Sequence, residues 1–119
     1  ASYVHWCSAG RAQHQQRGLW MLSRLYAQLG LGERALYYAS ETQTLTREHV
    51  NVMQDFDLCY ASEALARAHA VSGDHDSAKQ YFSKAYADGK KIDDAEDKKI
   101  FMGDLQSGNW GDFSLKNES

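Results

Sequence analysis

The sequence predicts an all-α protein: antiparallel helical hairpins stacked as a short α-α superhelix of about five to six helices. Two observations predict it. Ala, Leu, Gln, Glu, Lys and Arg, the residues that lose least on entering a helix, dominate the 119 positions. Apolar residues recur at three- and four-residue spacing, there is no Pro, and the 9 Gly fall mostly where one periodic segment ends. A hydrophobic share of 43% with 12% aromatic residues excludes a disordered chain. A chain of this size buries roughly two thirds of its unfolded surface, so a single domain over residues 1–108 is expected without metal or disulfide staples.

Taken in order, an opening helix carries the aromatic patch Tyr3, His5 and Trp6. From Gln13 to Leu29 the residues Leu19, Leu22, Leu25, Tyr26 and Leu29 form one helical stripe, closed by Gly30 and Gly32. From Glu33 to about His49, Ala35, Leu36, Ala39, Thr42 and Leu45 repeat the period and give an antiparallel partner. Asp55 is placed to cap a third helix through Leu58, Ala61, Leu65, Ala68 and Ala70, which ends at Gly73. The loop Gly73-Asp74-His75-Asp76 supplies an Asp cap for a fourth helix bearing Ala78, Tyr81, Phe82, Ala85 and Tyr86, which ends near Gly89. Asp93 and Asp94 suit the positive end of a last helix over about 93–107, with Ile100, Phe101 and Leu105. The tail 109–119 holds Trp110, Phe113 and Leu115 among Gly, Asn and Asp, so it folds back as a cap or docks on a second copy to form a homodimer.

Displacing the chain on itself by 43 residues aligns Leu22 with Leu65, Arg24 with Arg67, Ala27 with Ala70, Gly30 with Gly73, Ala35 with Ala78, Tyr38 with Tyr81 and Ser40 with Ser83. A helical hairpin used twice explains the match. The stretches LWMLSRLYAQLGLGERALYYA and SEALARAHAVSGDHDSAKQYFSKA resemble tetratricopeptide repeats, in copies at about 16–49 and 55–89. Leu19, Leu22, Ser23, Tyr26, Gly30 and Ala35 fit the first copy. Leu65, Ala66, Gly73, Ala78, Phe82 and Ala85 fit the second, where Ser62 and His69 replace a bulky residue and a Tyr. The 43-residue period exceeds the family's of about 34. Longer helices around residues 42–60 are expected to absorb the excess. The chain also resembles a small bacterial family marked by Arg17-Gly18 with Trp20 and by Asp55-Phe56-Asp57-Leu58, a resemblance that bears on fold and carries no chemistry.

Net charge is −3, but residues 1–50 are basic by two and residues 51–119 acidic by five. With no clustered basic face, nucleic-acid binding is not expected. No run approaches the roughly 18 apolar residues of a membrane span. Cys7 and Cys59 are too sparse for a disulfide framework, which points to buried thiols in a reducing, cytoplasmic setting. The histidines at 5, 14, 49, 69 and 75 show no zinc-ligand pairing, and the acids from Asp88 to Asp97 are broken by Lys90, Lys91 and Ile92 where a calcium loop needs ligands. No cofactor and no metal are expected, and no catalytic constellation is legible. His69 reads as a core or interface histidine with one hydrogen bond.

The resemblance places the first helix of each hairpin on a concave surface, with Arg17, Trp20 and Arg24 on one and Tyr60, Glu63 and Arg67 on the next. Arg forks grip carboxylates and flat aromatic rings supply apolar contact, so these six residues are the candidate binding set for an acidic peptide or partner segment. They also read as a structural set, with both Arg paired to Glu63 and Trp20 in the core. The function expected is a non-enzymatic interaction module. The alternatives are a homo-oligomer formed through its apolar ends and a binder of a small anionic ligand.

Overall fold

The computed structural model describes residues 2–107 of the chain, with side chains from Gly10 onward. Those residues form five α-helices: α1 (Ser2–Gln28), α2 (Gly32–Glu48), α3 (Asp55–Val71), α4 (His75–Gly89) and α5 (Ala95–Leu105), with a 3-10 turn at Val50–Val52. No strand is present among them. Antiparallel hairpins α1–α2 and α3–α4 stack through α2 and α3. Helix α5 closes the array against α3 and α4, so α3 packs on α1, α2, α4 and α5. The tail 109–119 lies outside the described residues.

The two hairpin turns are built alike, and the reason is local. Gly30 and Gly73 adopt φ of 76° and 89°, the left-handed region in which a side chain is strained. In each turn the glycine N–H returns to an Ala carbonyl, Gly30 to Ala27 at 3.0 Å and Gly73 to Ala70 at 3.2 Å. The next N–H spans further, from Leu31 to Tyr26 and from Asp74 to His69, at 2.9 Å in both. Asp74 caps α4 by accepting from the Ser77 N–H, which holds its carboxyl below the usual range. Asp94 caps α5 through the Asp97 N–H at 2.9 Å.

Four sequence expectations are corrected. The opening helix and the Gln13–Leu29 helix are one continuous α1, because Gly10 and Gly18 lack the Pro or capping partner that would end a helix. The residues between hairpins do not lengthen helices. Helices α2 and α3 are each 17 residues long, and the 3-10 turn followed by extended Met53 takes up the interval, held by the Gln13 side-chain amide on the Val52 carbonyl. Asp55 does not cap α3. Gln54 holds that position, its N–H donating to Asp57 Oδ2 at 2.9 Å, while the Asp55 carboxylate accepts from the Asp93 N–H and ties in the start of α5.

The fourth correction concerns the α1 stripe. Leu22, Leu25 and Leu29 are exposed, and the inward face is Ala12, Gln16, Ser23 and Ala27. Backbones approach too closely there for leucine: the Ser23 hydroxyl reaches the Ala35 carbonyl of α2 at 3.0 Å. Likewise α2 buries Ala35, Ala39, Thr42 and Thr46, with both hydroxyls turned back on the carbonyls four residues earlier. Leu58 and Ile100, expected on apolar stripes, are exposed too.

The core therefore has two parts. Small residues Ala27, Ala35, Ala39, Ala64 and Ala68 with Leu65 join the hairpins. Larger ones, Phe82, Ile92, Phe101 and Leu105 with Cys59, join α3, α4 and α5. Gly89 makes the second cluster possible, since a Cβ there would lie 2.6 Å from the Phe101 ring. Cys59 is a free, buried thiol that burial pushes up to about 12; the Cys7 side chain lies outside the described ones.

Candidate functional site

Five of the six candidate residues meet in one cluster between α1, α3 and α5. Glu63 is fully buried on α3, with the Arg67 Nε 3.2 Å from its Oε2 one turn away. The Trp20 indole N–H donates to Glu63 Oε1 at 2.9 Å, and Arg24 approaches the same carboxylate at 4.0 Å from a partly exposed position. Burial pushes the Glu63 carboxyl up against the opposing pull of Arg67, and pushes the Arg67 guanidinium down. Buried charges of this kind persist only when partnered, and here the partners come from α1 (Trp20 and Arg24) and from the next turn of α3 (Arg67).

Helix α5 closes the cluster. The Arg67 guanidinium donates to the Asp104 carbonyl, and the Tyr60 hydroxyl donates to the Asp104 carboxylate at 2.6 Å, which together with burial raises the phenol. Tyr60 also stands edge-on to Phe101 at 4.9 Å and to Trp20 at 5.0 Å. Arg24 lies over the Trp20 ring at 5.4 Å and donates to the Ser107 hydroxyl at 3.3 Å. Glu63 and Arg67 thus serve as the internal tie between hairpins and do not face solvent. The surface set left from the six is Arg17, Trp20, Arg24 and Tyr60.

Arg17 stands apart from the charge cluster. It is exposed, with its guanidinium 6.0 Å from the centre of the Phe56 ring. Beside it a cavity of about 190 Å³ opens between α1 and α3, lined by Gln16, Arg17, Trp20, Phe56, Asp57 and Tyr60. Gln16 and Asp57 form its floor: the Gln16 amide donates to the Asp57 carbonyl at 3.1 Å, and both residues are buried. Three half-buried aromatic rings and one exposed cation make the cleft suited to an apolar group carried next to a negative charge.

Sequence reasoning reached the six residues and missed Asp104, Phe56, Gln16 and Ser107. Asp104 had no legible signal, because its displaced counterpart is Ala61 and nothing local to α5 announces that its carbonyl and carboxylate serve α3. Phe56 lay within a quoted motif without a role. His69 is a half-buried stacking residue: its ring lies parallel to Tyr81 at 5.5 Å, with Nδ1 3.6 Å from the Asp74 carboxylate. It occupies the place of Tyr26, which stacks on Tyr38 at 5.6 Å one displacement earlier.

Among the described residues no three His, Cys, Asp or Glu side chains gather as a metal set, and no helix is long and apolar enough to cross a membrane. Comparison with protein-family models, with curated proteins and with solved structures returns no match for this chain.

Proposed function

We propose that the chain is a non-enzymatic, tetratricopeptide-like interaction module whose α1–α3 cleft takes one apolar side chain from an acidic partner segment. The cavity between Trp20, Phe56 and Tyr60 carries this reading. Its roughly 190 Å³ is below the range of about 300–1,000 Å³ usual for small-molecule sites and near the roughly 150 Å³ that accommodates a benzene ring. It fits an anchor side chain better than a metabolite. Arg17 and Arg24 lie to either side of Trp20 along α1, where their guanidiniums would meet carboxylates flanking that anchor. The shared backbone hydrogen-bond pattern of the two turns and the matched aromatic stacks of the two hairpins support the repeat reading.

A random peptide library panned against the full chain tests this. Enrichment of Trp, Phe or Leu beside Asp or Glu is expected, with binding weakened at least tenfold by Arg17→Glu. No enrichment, or enrichment that Arg17→Glu leaves unchanged, overturns the assignment. Arg67 is unsuitable for such a test because it is buried.

A further inference from the structure

We infer that the exposed face of α1 is a self-association surface, on which a second copy of the chain docks α1 against α1 to form a twofold dimer. The inference stands apart from the α1–α3 cleft and from what that cleft binds.

The spacing on α1 carries the argument. Gln15, Gly18, Leu22, Leu25 and Leu29 follow one another at alternating three- and four-residue steps, the seam of a coiled coil, and all of them are exposed. Leu25 and Leu29 are 50% and 61% exposed, on the side away from the buried Ala12, Gln16, Ser23 and Ala27. Such a contiguous apolar stripe on a surface marks an interaction site. Its counterparts on α3 have a neighbour. Gly18, Leu22 and Leu25 correspond, 43 residues on, to Ala61, Leu65 and Ala68, which are buried, the last two against Ala35 and Ala39 of α2. The same face is covered by a helix in the second hairpin and open in the first.

The face is complementary to itself, which selects a second copy as its occupant. Between α1 and α2 runs a groove of about 440 Å³, with Leu19, Leu22 and Leu45 along it and Gln15 and Glu48 at one end. Two copies related by a twofold axis along α1 bring Leu22, Leu25 and Leu29 onto their own counterparts. Gly18, where a Cβ would have no atom within 4 Å, lets the two helices approach closely. The exposed Arg11 lies one turn before Gln15 on the same stripe, about 6 Å along the helix, a span an Arg side chain covers. In that arrangement each Arg11 meets Glu48 of the other copy. Helices α1 and α2 side by side present a face of roughly 25 by 20 Å, so pairing buries about 1,000 Å² in total, the size at which weak specific interfaces begin. Arg17, Trp20 and Arg24 project about 140–160° around α1 from Leu22, so pairing leaves both α1–α3 clefts open.

Sedimentation equilibrium of the full chain between about 5 µM and about 500 µM tests this, a range that brackets a weak interface. Monomer is expected at the low end and dimer at the high end. Leu22→Glu and Leu25→Glu should each weaken pairing roughly tenfold or more, while melting measured at the monomeric end stays near that of wild type, because both side chains already meet water. Ile100→Glu, at a comparably exposed apolar site on α5, should leave pairing unchanged. Arg11→Glu should weaken it, and Glu48→Arg added to that variant should restore it. A chain that stays monomeric at the highest concentration overturns the inference. A dimer that Leu22→Glu leaves intact, or that Ile100→Glu disrupts as strongly, also overturns it, since another surface then holds the copies together. A charge exchange that restores nothing overturns the twofold arrangement.

Discussion

Hairpins α1–α2 and α3–α4 share seven residues at positions 43 apart, yet the same residue type meets different surroundings in each. Leu22 is 37% exposed where Leu65 is 5% exposed. The Arg24 side chain is 21% exposed where that of Arg67 is 1% exposed. Ala27 and Ala70, and Ala35 and Ala78, are buried in both. Helix α3 has neighbours on every side, while α1 packs mainly on α2 and α3. Where the contact is within a hairpin the copies agree; where it depends on the next layer they diverge. A hairpin at the edge of the helical array therefore uses the same residue types differently from one that is packed on both sides.

The largest contrast is expected at the arginines. Arg67→Ala leaves the Glu63 carboxylate buried beside a gap and should destabilise the protein by roughly 3–5 kcal/mol. Arg24→Ala removes a longer, partly solvated pair and should cost less than about 1 kcal/mol. Urea unfolding of the two variants decides the matter, and equal losses would break the comparison.

Next come the leucines. Leu65→Ala opens a cavity between the hairpins and should cost about 2–5 kcal/mol. Leu22→Ala should cost about 1 kcal/mol or less, since much of that side chain already meets water. Thermal melts would show the difference as a wide separation of Tm values, with Leu22→Ala close to wild type.

The glycines sharpen the comparison by agreeing. Both have positive φ and open space where a Cβ would stand, so Gly30→Ala and Gly73→Ala should each cost about 1–2 kcal/mol from backbone strain alone. Unfolding midpoints that differ widely between the two would show that the turns are not equivalent.

Much of this fold was legible because its signals are local. Gly30 and Gly73 mark turns by their own backbone preference, and Asp74 and Asp94 mark helix starts through an N–H three residues away. The candidate set was legible as six residues on two helices, but its division was not. Arg67 differs from Arg17 only in how many helices surround it, and Glu63 is buried with it. The misplaced stripe on α1 has the same origin: Leu22, Leu25 and Leu29 have helical spacing, but the close approach signalled by Ser23 and Ala27 admits small side chains only.

By itself, then, the sequence determined that the chain is helical and where its turns fall, because each depends on hydrogen bonds and φ preferences spanning about five residues or fewer, and the likeness of the two hairpins is legible from the match of the chain with itself at a displacement of 43 residues. Tertiary structure decided which face of α1 is buried, that Glu63 and Arg67 become an internal tie, and that Asp104 completes them. Those outcomes depend on helices brought together from 37 to 44 residues away, as in the contacts of Arg67 and Tyr60 with Asp104 and of Trp20 with Glu63, and no local pattern records such neighbours.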